Sequence, residues 1–327
     1  MVNVAVIGAG NWGKNHIRTL LSIKDCTLKY ICDIDKEKLE IVKKNFPFVK
    51  TTVEPKKILE DYEINGVIIA SSSETHFSLA KLAIECDKDV LVEKPLTLDS
   101  TSAEELIKLA NEKQRILMVG HLLIYHPAIK KIKELIKSGE LGEIYYLYSQ
   151  RLNLGSIRKK ESSLWSLAPH DVSVALYLLE EEPDYIAAYG ESYIQSNIND
   201  VVFLNLHFPN KKIAHIHISW LDPHKIRKLT IVGSKKMVVF DDMESREKIR
   251  IYDKGVENKN YDSYREYISL RFGDVLIPKL DTDEPLKLED AHFIDCIQKR
   301  GKPTTDGECG LKVIKILEKA DKFLGNK

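Results

Sequence analysis

At 327 residues the chain is long for one core and suited to two domains. Lysine plus arginine, 49, equals aspartate plus glutamate, 49, so no net charge draws it to a polyanion and a nucleic-acid partner is not expected. No apolar run approaches the roughly 18–20 residues of a membrane span, and the opening MVNVAVIGAG reads directly as strand and turn, so a cytoplasmic protein away from membranes is expected. Cys26, Cys32, Cys86, Cys296 and Cys309 are scattered without a CxxC pair or a nearby histidine at ligand spacing, which predicts reduced thiols and no metal.

From residue 1 to about 120, short β-branched runs (VNVAVIG, TLKYICD, GVIIAS, DVLVEKP, ILMVGH) alternate with amphipathic stretches. Continuously apolar strands suit a parallel sheet buried on both faces, and helical spacing is clear in Thr75 to Asp87 and Ser100 to Lys113. This half is expected to be a doubly wound Rossmann domain, residues 1–120, binding a dinucleotide.

Beyond residue 120, AAYGESYIQS, VVFLNLHFP, KKIAHIHISWL, KLTIVGS and KMVVFDD follow one another with only turns between. In IAHIHISW, Ile213, His215, His217 and Ser219 alternate with Ala214, Ile216, Ile218 and Trp220, the pattern of an antiparallel sheet with one wetter face. Residues 121–327 therefore read as an α+β domain with a large, mainly antiparallel open sheet. LEDAHFIDCIQ and GECGLKVIKILEKADKFL return to helical periodicity and could pack back over the first domain.

Gly8, Gly10 and Gly13 form GxGxxG directly after the first strand, opening the helix that contains His16 to Leu21. The first glycine permits the turn, the second lets backbone approach a pyrophosphate, and the third allows close helix–strand packing. Asp33, 23 positions after Gly10 at the end of the second strand, is placed to accept from a ribose diol and select NAD, with Asp35 as the substitute if that strand runs on. In LVEKPLTLD, Pro95 cannot donate to a ladder, so the strand ends just after Lys94 and leaves it at the carboxyl end of the sheet, where open α/β folds bind ligands. There an ammonium can hold a substrate hydroxyl and stabilise a developing alkoxide.

With E-K-P the chain resembles the glucose-fructose oxidoreductase, inositol dehydrogenase and MocA group of NAD(P)-dependent oxidoreductases, over nearly its whole length; ASSSETHFSLA (70–80) is a further mark. The resemblance implies a catalytic Lys94, a turn beneath the nicotinamide shaped by Pro95, and His76 near the cofactor behind a Thr75 cap. The cofactor residues expected are Gly8, Gly10, Asn11, Trp12, Gly13, Asp33, Ser71, Ser72, His76, Glu93, Lys94 and Pro95, with NAD as cofactor.

Two longer stretches, VGHLLIYHPAIKKIKELIKSGELGEIYYLYSQRLNLG (119–155) and LWSLAPHDVSVALYLL (164–179), look like one branch, the UDP-N-acetylglucosamine 3-dehydrogenases and related nucleotide-sugar enzymes. That likeness implies a proton-handling His170 and substrate contacts from His121, Tyr125, Arg151, Asn153, Ser166, His170 and Asp171. Ser166 stands where relatives often carry aspartate, so either its hydroxyl suffices or Asp171 takes over part of that role. His126 stands where relatives often show Asn. Arg151 and Asn153, with the basic run Arg158, Lys159 and Lys160, are read as a loop entering the second domain, Arg151 as a fork for a diphosphate. His215 and His217 are read as open sheet surface. The expected activity is oxidation at C3 of a UDP-linked 2-acetamido sugar, the alternatives being an inositol or free-hexose dehydrogenase or a non-catalytic NAD-binding regulator. A homodimer or homotetramer through the C-terminal sheet is implied.

Overall fold

The computed structural model describes residues 1–155, 157–259 and 267–325. The chain divides into two compact units, Met1–Tyr125 with Asp283–Lys315, and His126–Thr282 with Ile316–Lys327. In the first, β1 (Val2–Ile7), α1 (Asn11–Leu20), β2 (Cys26–Cys32), α2 (Lys36–Asn45), β3 (Lys50–Thr52), α3 (Pro55–Leu59), β4 (Gly66–Ile69), α4 (His76–Glu85), β5 (Asp89–Glu93), α5 (Ser100–Glu112) and β6 (Leu117–Gly120) follow in order. The strands form a wholly parallel sheet ordered β3-β2-β1-β4-β5-β6, the doubly wound arrangement whose order reverses between β1 and β4. Val4, Val6, Ile68, Leu91 and Val92 have no exposed surface, and each such side chain contributes roughly 1.5–3 kcal/mol of burial. β3 was not foreseen; three residues of Lys-Thr-Thr carry no apolar run to announce a strand.

The second unit begins with α6 (Pro127–Lys137), β7 (Ile144–Leu154) and α7 (Ser163–Leu179), then β8 (Tyr185–Glu191), β9 (Val201–His207), β10 (Ile213–Ser219), β11 (Leu221–Gly233), β12 (Met237–Asp241), β13 (Ile249–Lys259) and β14 (Tyr267–Leu276). They form an eight-stranded sheet ordered β14-β13-β12-β11-β7-β10-β9-β8, antiparallel except where β7 pairs with β10. Its β10 face alternates as expected: Ala214, Ile216 and Ile218 are fully buried, while His215 and His217 are half-buried and stand beside Asn205 and Phe203 of β9. Two sequence expectations change here. The segment carrying Arg151 and Asn153 is a strand in the middle of this sheet, not a loop, because it pairs on both sides with β10 and β11. The predicted contiguous division at residue 120 also differs from the compact units. Helix α8 (Pro285–Lys299) packs on α1 and on the short 3₁₀ turn Leu122–Tyr125, and so belongs with the first unit, whereas the division falls within α9 (Gly307–Phe323). The C-terminal helical stretch is expected to be able to pack back over the first domain, and α8 does so.

Candidate functional site

β1 ends in the glycine turn, and its geometry shows what each glycine does. Gly8 has φ +102°, and a Cβ there would lie 2.5 Å from the Ala70 carbonyl oxygen, at the start of the loop that follows β4. A Cβ on Gly13 would lie 1.8 Å from the Gly8 carbonyl oxygen, so only hydrogen lets α1 come this close to the turn. At Gly10, the N-cap of α1, a Cβ would meet nothing within 4 Å. Open space over the first amides of a helix, bounded by a glycine turn at the strand-order reversal, is a cradle that fits a dinucleotide pyrophosphate. Asn11 and Trp12 open that helix, the former exposed and the latter half-buried.

Asp33, directly after β2, is buried and faces the same loop: its Oδ2 accepts from the Ala9 amide at 2.7 Å and its Oδ1 from the Asp35 amide at 2.9 Å. Asp35 instead caps α2, accepting from Glu37 and Lys38, which leaves Asp33 as the acid at the cradle. Lys38 Nζ stands 3.7 Å from Asp33 Oδ1, a neighbour that sequence spacing did not suggest. Ser71 and Ser72 lie on the loop after β4; the Ser71 hydroxyl shares a hydrogen bond with Thr75 Oγ1 at 2.7 Å. Thr75 is therefore not a side-chain cap of α4: its hydroxyl donates back to the Ser72 carbonyl at 2.8 Å.

β5 ends at Glu93, and Lys94 and Pro95, joined by a cis peptide bond, follow at the carboxyl end of the sheet. His76 braces this turn: its Nδ1 lies 2.7 Å from the Pro95 carbonyl oxygen and its Nε2 3.3 Å from that of Ser71. Burial, assisted by the Lys94 charge, outweighs these carbonyl contacts and moves His76 below the ordinary imidazole range; a neutral ring has one N–H to donate, and the shorter Nδ1 contact makes the Pro95 carbonyl its acceptor.

His121 follows β6 with 1 % exposure and, among the described residues, no hydrogen-bond partner on either ring nitrogen. Burial first, and the Lys94 ammonium second, push it down to about 3. Such a ring stays neutral at working pH and offers an acceptor to a ligand hydroxyl. The unfolded chain takes up a proton near pH 6.5 that the folded chain refuses until about 3, so folding stability should fall as pH drops through that window, by about 2 kcal/mol at pH 5. Urea unfolding of the wild type and His121→Gln at pH 7 and pH 5 checks this; an unchanged acid loss in the variant removes His121 as its source. Tyr125 is a buried phenol whose hydroxyl meets Thr305 Oγ1 at 3.0 Å, beside α8.

In the second unit, α7 starts from a Ser162 cap and carries Ser166, His170 and Asp171. Ser166, buried, lies one turn before the half-buried His170. Asp171 turns to β7, where it accepts from Arg151 Nε at 2.6 Å, from Arg151 Nη2 at 3.3 Å and from the Ser149 hydroxyl. The arginine fork expected for a diphosphate is thus engaged with a carboxylate of its own unit, and the acid proposed to replace the Ser166 position is spent on holding β7 to α7. Asn153 is half-buried two residues on, while Arg158, Lys159 and Lys160 are exposed, Arg158 facing Glu161 at 3.3 Å. His126 serves the fold: its Nδ1 accepts from the Ala128 amide at 3.0 Å as the cap of α6, and its Nε2 stands 3.6 Å from Asp242.

The description "oxidoreductase family, NAD-binding Rossmann fold" matches residues 2–121, and the GFO/IDH/MocA C-terminal domain matches residues 129–239. A myo-inositol 2-dehydrogenase of Thermotoga maritima is 23% identical across 100% of this chain and 97% of its own length. A UDP-N-acetylglucosamine 3-dehydrogenase of Acidithiobacillus ferrooxidans is 25% identical across 78% of each chain. The solved structure of the latter superposes with a TM-score of 0.83 at 23% identity, over 98% of this chain and 97% of that one. An oxidoreductase from Agrobacterium radiobacter, solved with NAD+, L-tartaric acid and magnesium, superposes with a TM-score of 0.82 at 17% identity over 99% and 96%. These last two likenesses speak for the fold alone. With both halves matched in order and the glycine cradle in place, the chain belongs to the GFO/IDH/MocA family and is an NAD-dependent oxidoreductase.

Proposed function

We propose that this enzyme oxidises a secondary hydroxyl of a UDP-linked 2-acetamido sugar at C3, UDP-N-acetylglucosamine or its uronic acid, to the 3-keto sugar. The reading rests on Lys94 and His170. The Lys94 ammonium holds the substrate oxygen and stabilises negative charge as it develops, and the His170 imidazole takes the hydroxyl proton. Bound NAD supplies the hydride acceptor. His121, neutral and unpartnered, accepts from a neighbouring sugar hydroxyl. The observation that supports the nucleotide sugar is the likeness of 119–155 and 164–179 to that branch, together with the relative of that activity matched over 78% of this chain.

A second reading, an inositol or free-hexose dehydrogenase, is favoured by the pairing of Arg151 with Asp171, which leaves that guanidinium less to offer a diphosphate, and by the full-length similarity of the myo-inositol enzyme. In both readings the dinucleotide falls to the first unit, which also supplies Lys94 and His121 to the substrate. The enzyme works in the cytoplasm as a homodimer or homotetramer; exposed Tyr146 and Phe203 and the stacked Phe203–His217 pair, 4.3 Å between centroids, support assembly through the large sheet.

Incubating the pure protein with NAD and a panel of UDP-sugars, inositols and free hexoses, with reduced-nicotinamide absorbance and product mass followed, decides the substrate. 2-Oxoglutarate is included as a hydride acceptor for the case of a cofactor recycled in place. Turnover of UDP-N-acetylglucosamine or its uronic acid is the expected result; turnover confined to inositols or hexoses replaces it with the second reading. No turnover of any member points to a regulator.

A further inference from the structure

Beneath the Lys94 turn lies a buried ionic network that the proposed mechanism does not use. Glu93, the last residue of β5, is 4 % exposed and stands opposite Gly120 of β6, where a Cβ would come within 3.3 Å of its carboxylate. The absent side chain makes room for Glu93 beside His16 of α1. His16 is fully buried, with Nε2 3.0 Å from Glu93 Oε1 and Nδ1 2.8 Å from Asp290 Oδ1 of α8. Asp290 also accepts from the Thr19 hydroxyl of α1. Glu93 Oε2 in turn accepts from the Lys94 amide at 3.2 Å. A continuous chain thus runs from Asp290 through His16 and Glu93 to the backbone of Lys94.

Carboxylates accept and do not donate, so one at each ring nitrogen requires both nitrogens to carry protons. Burial alone would discharge His16, but Asp290 and Glu93 overcome it and hold the ring well above its ordinary range. The remaining carboxyl beside them is Glu289 of α8, fully buried with no hydrogen-bond partner on either oxygen. Burial, then the charge of Glu93, raises it so that it remains protonated. The imidazolium then stands between the Asp290 and Glu93 carboxylates. Of the other titratable groups, Arg18 on α1 and Cys26 on β2 feel Asp290, Tyr125 feels Glu289, and His76 on α4 feels Glu93.

We propose that His16 is a positioning residue for Lys94: as an imidazolium clamped between Asp290 and Glu93, it fixes the Glu93 carboxylate that holds the Lys94 backbone, and so aims the ammonium at the substrate oxygen. This rests on the reading of Lys94 as the group that holds that oxygen. Misplacement of a reacting group by about 1 Å lowers turnover about 10²-fold.

The test compares wild type, His16→Gln and His16→Gln/Asp290→Asn on whichever panel substrate the wild type turns over. In His16→Gln, kcat should fall about 100-fold with the NAD Kd within about threefold. Glu93 and Asp290 are then left without the imidazolium between them, and kcat is measured from pH 8 to pH 6. Adding Asp290→Asn removes one stranded charge and should restore about tenfold. A readout without substrate is the 15N spectrum of histidine-labelled wild type, in which the His16 signals, identified by their loss in His16→Gln, should show both ring nitrogens protonated at pH 8. Wild-type kcat in His16→Gln across this pH range, or a neutral His16 tautomer, overturns the proposal. Should His16→Gln not fold, Asp290→Asn alone decides: kcat down about tenfold with NAD binding kept supports the clamp, and unchanged kcat removes it. If the wild type turns over no member of the panel, the activity reading fails while the histidine spectrum still tests the clamp.

Discussion

Replacing Lys94 by alanine should lower kcat about 10³-fold while the Kd for NAD stays within about threefold. The reason lies in what each part of the β5 turn touches. The dinucleotide cradle is made by Gly8, Gly10, Gly13 and Asp33, whose packing and hydrogen bonds involve the β4 loop, the Gly8 carbonyl and the Ala9 and Asp35 amides. The turn itself is braced by His76 on the Pro95 carbonyl, and Glu93 receives the Lys94 amide, a backbone contact that alanine keeps. Only the ammonium is lost, and with it the stabilisation of a developing alkoxide. Equilibrium fluorescence titration with NAD, beside steady-state kinetics on the substrate identified from the panel, makes the comparison. Undiminished turnover in Lys94→Ala would take the lysine out of the reaction; loss of NAD binding would make it a cofactor ligand.

Gly10 and Gly13 should answer alanine in opposite ways, although they stand three residues apart in one motif. A methyl group on Gly13 would sit 1.8 Å from the Gly8 carbonyl oxygen, so the turn or α1 must move, and a stability loss of about 1–3 kcal/mol or more is expected whether or not NAD is present. A methyl group on Gly10 meets nothing within 4 Å, and its φ of −72° suits any residue. Gly10→Ala should therefore fold with less than about 1 kcal/mol of loss, that being the helix-capping preference of glycine over alanine. It should nonetheless bind NAD at least tenfold more weakly, because the methyl occupies the space a pyrophosphate needs. Thermal unfolding with and without NAD separates the two effects. A Gly10→Ala protein that binds NAD like the wild type would mean the dinucleotide lies elsewhere.

Much of this could be read from the chain alone wherever the physics is local. The alternation of apolar runs and amphipathic stretches implies a doubly wound parallel sheet, GxGxxG after a strand implies the glycine cradle, and Pro95 ends β5 where an imino acid must. Long-range choices were another matter. Asp33 and Asp35 were both eligible as the acid at the cradle until backbone hydrogen bonds gave one to the glycine loop and the other to the α2 cap. Arg151 read as a loop fork for an anion because short-range pattern does not show that β7 has partners on both sides, nor that Asp171 meets the guanidinium from α7.

The sequence by itself determined the fold class, the alternation of strand and helix in the nucleotide domain and the type of cofactor, since these follow from periodicity and from conformational demands confined to a few adjacent residues. Tertiary structure alone decided that His16 meets Asp290, 274 positions away. A hydrogen-bonding group in the sequence declares only that it needs a partner once buried. Which partner it finds depends on where the packing of the apolar faces brings the helices to rest.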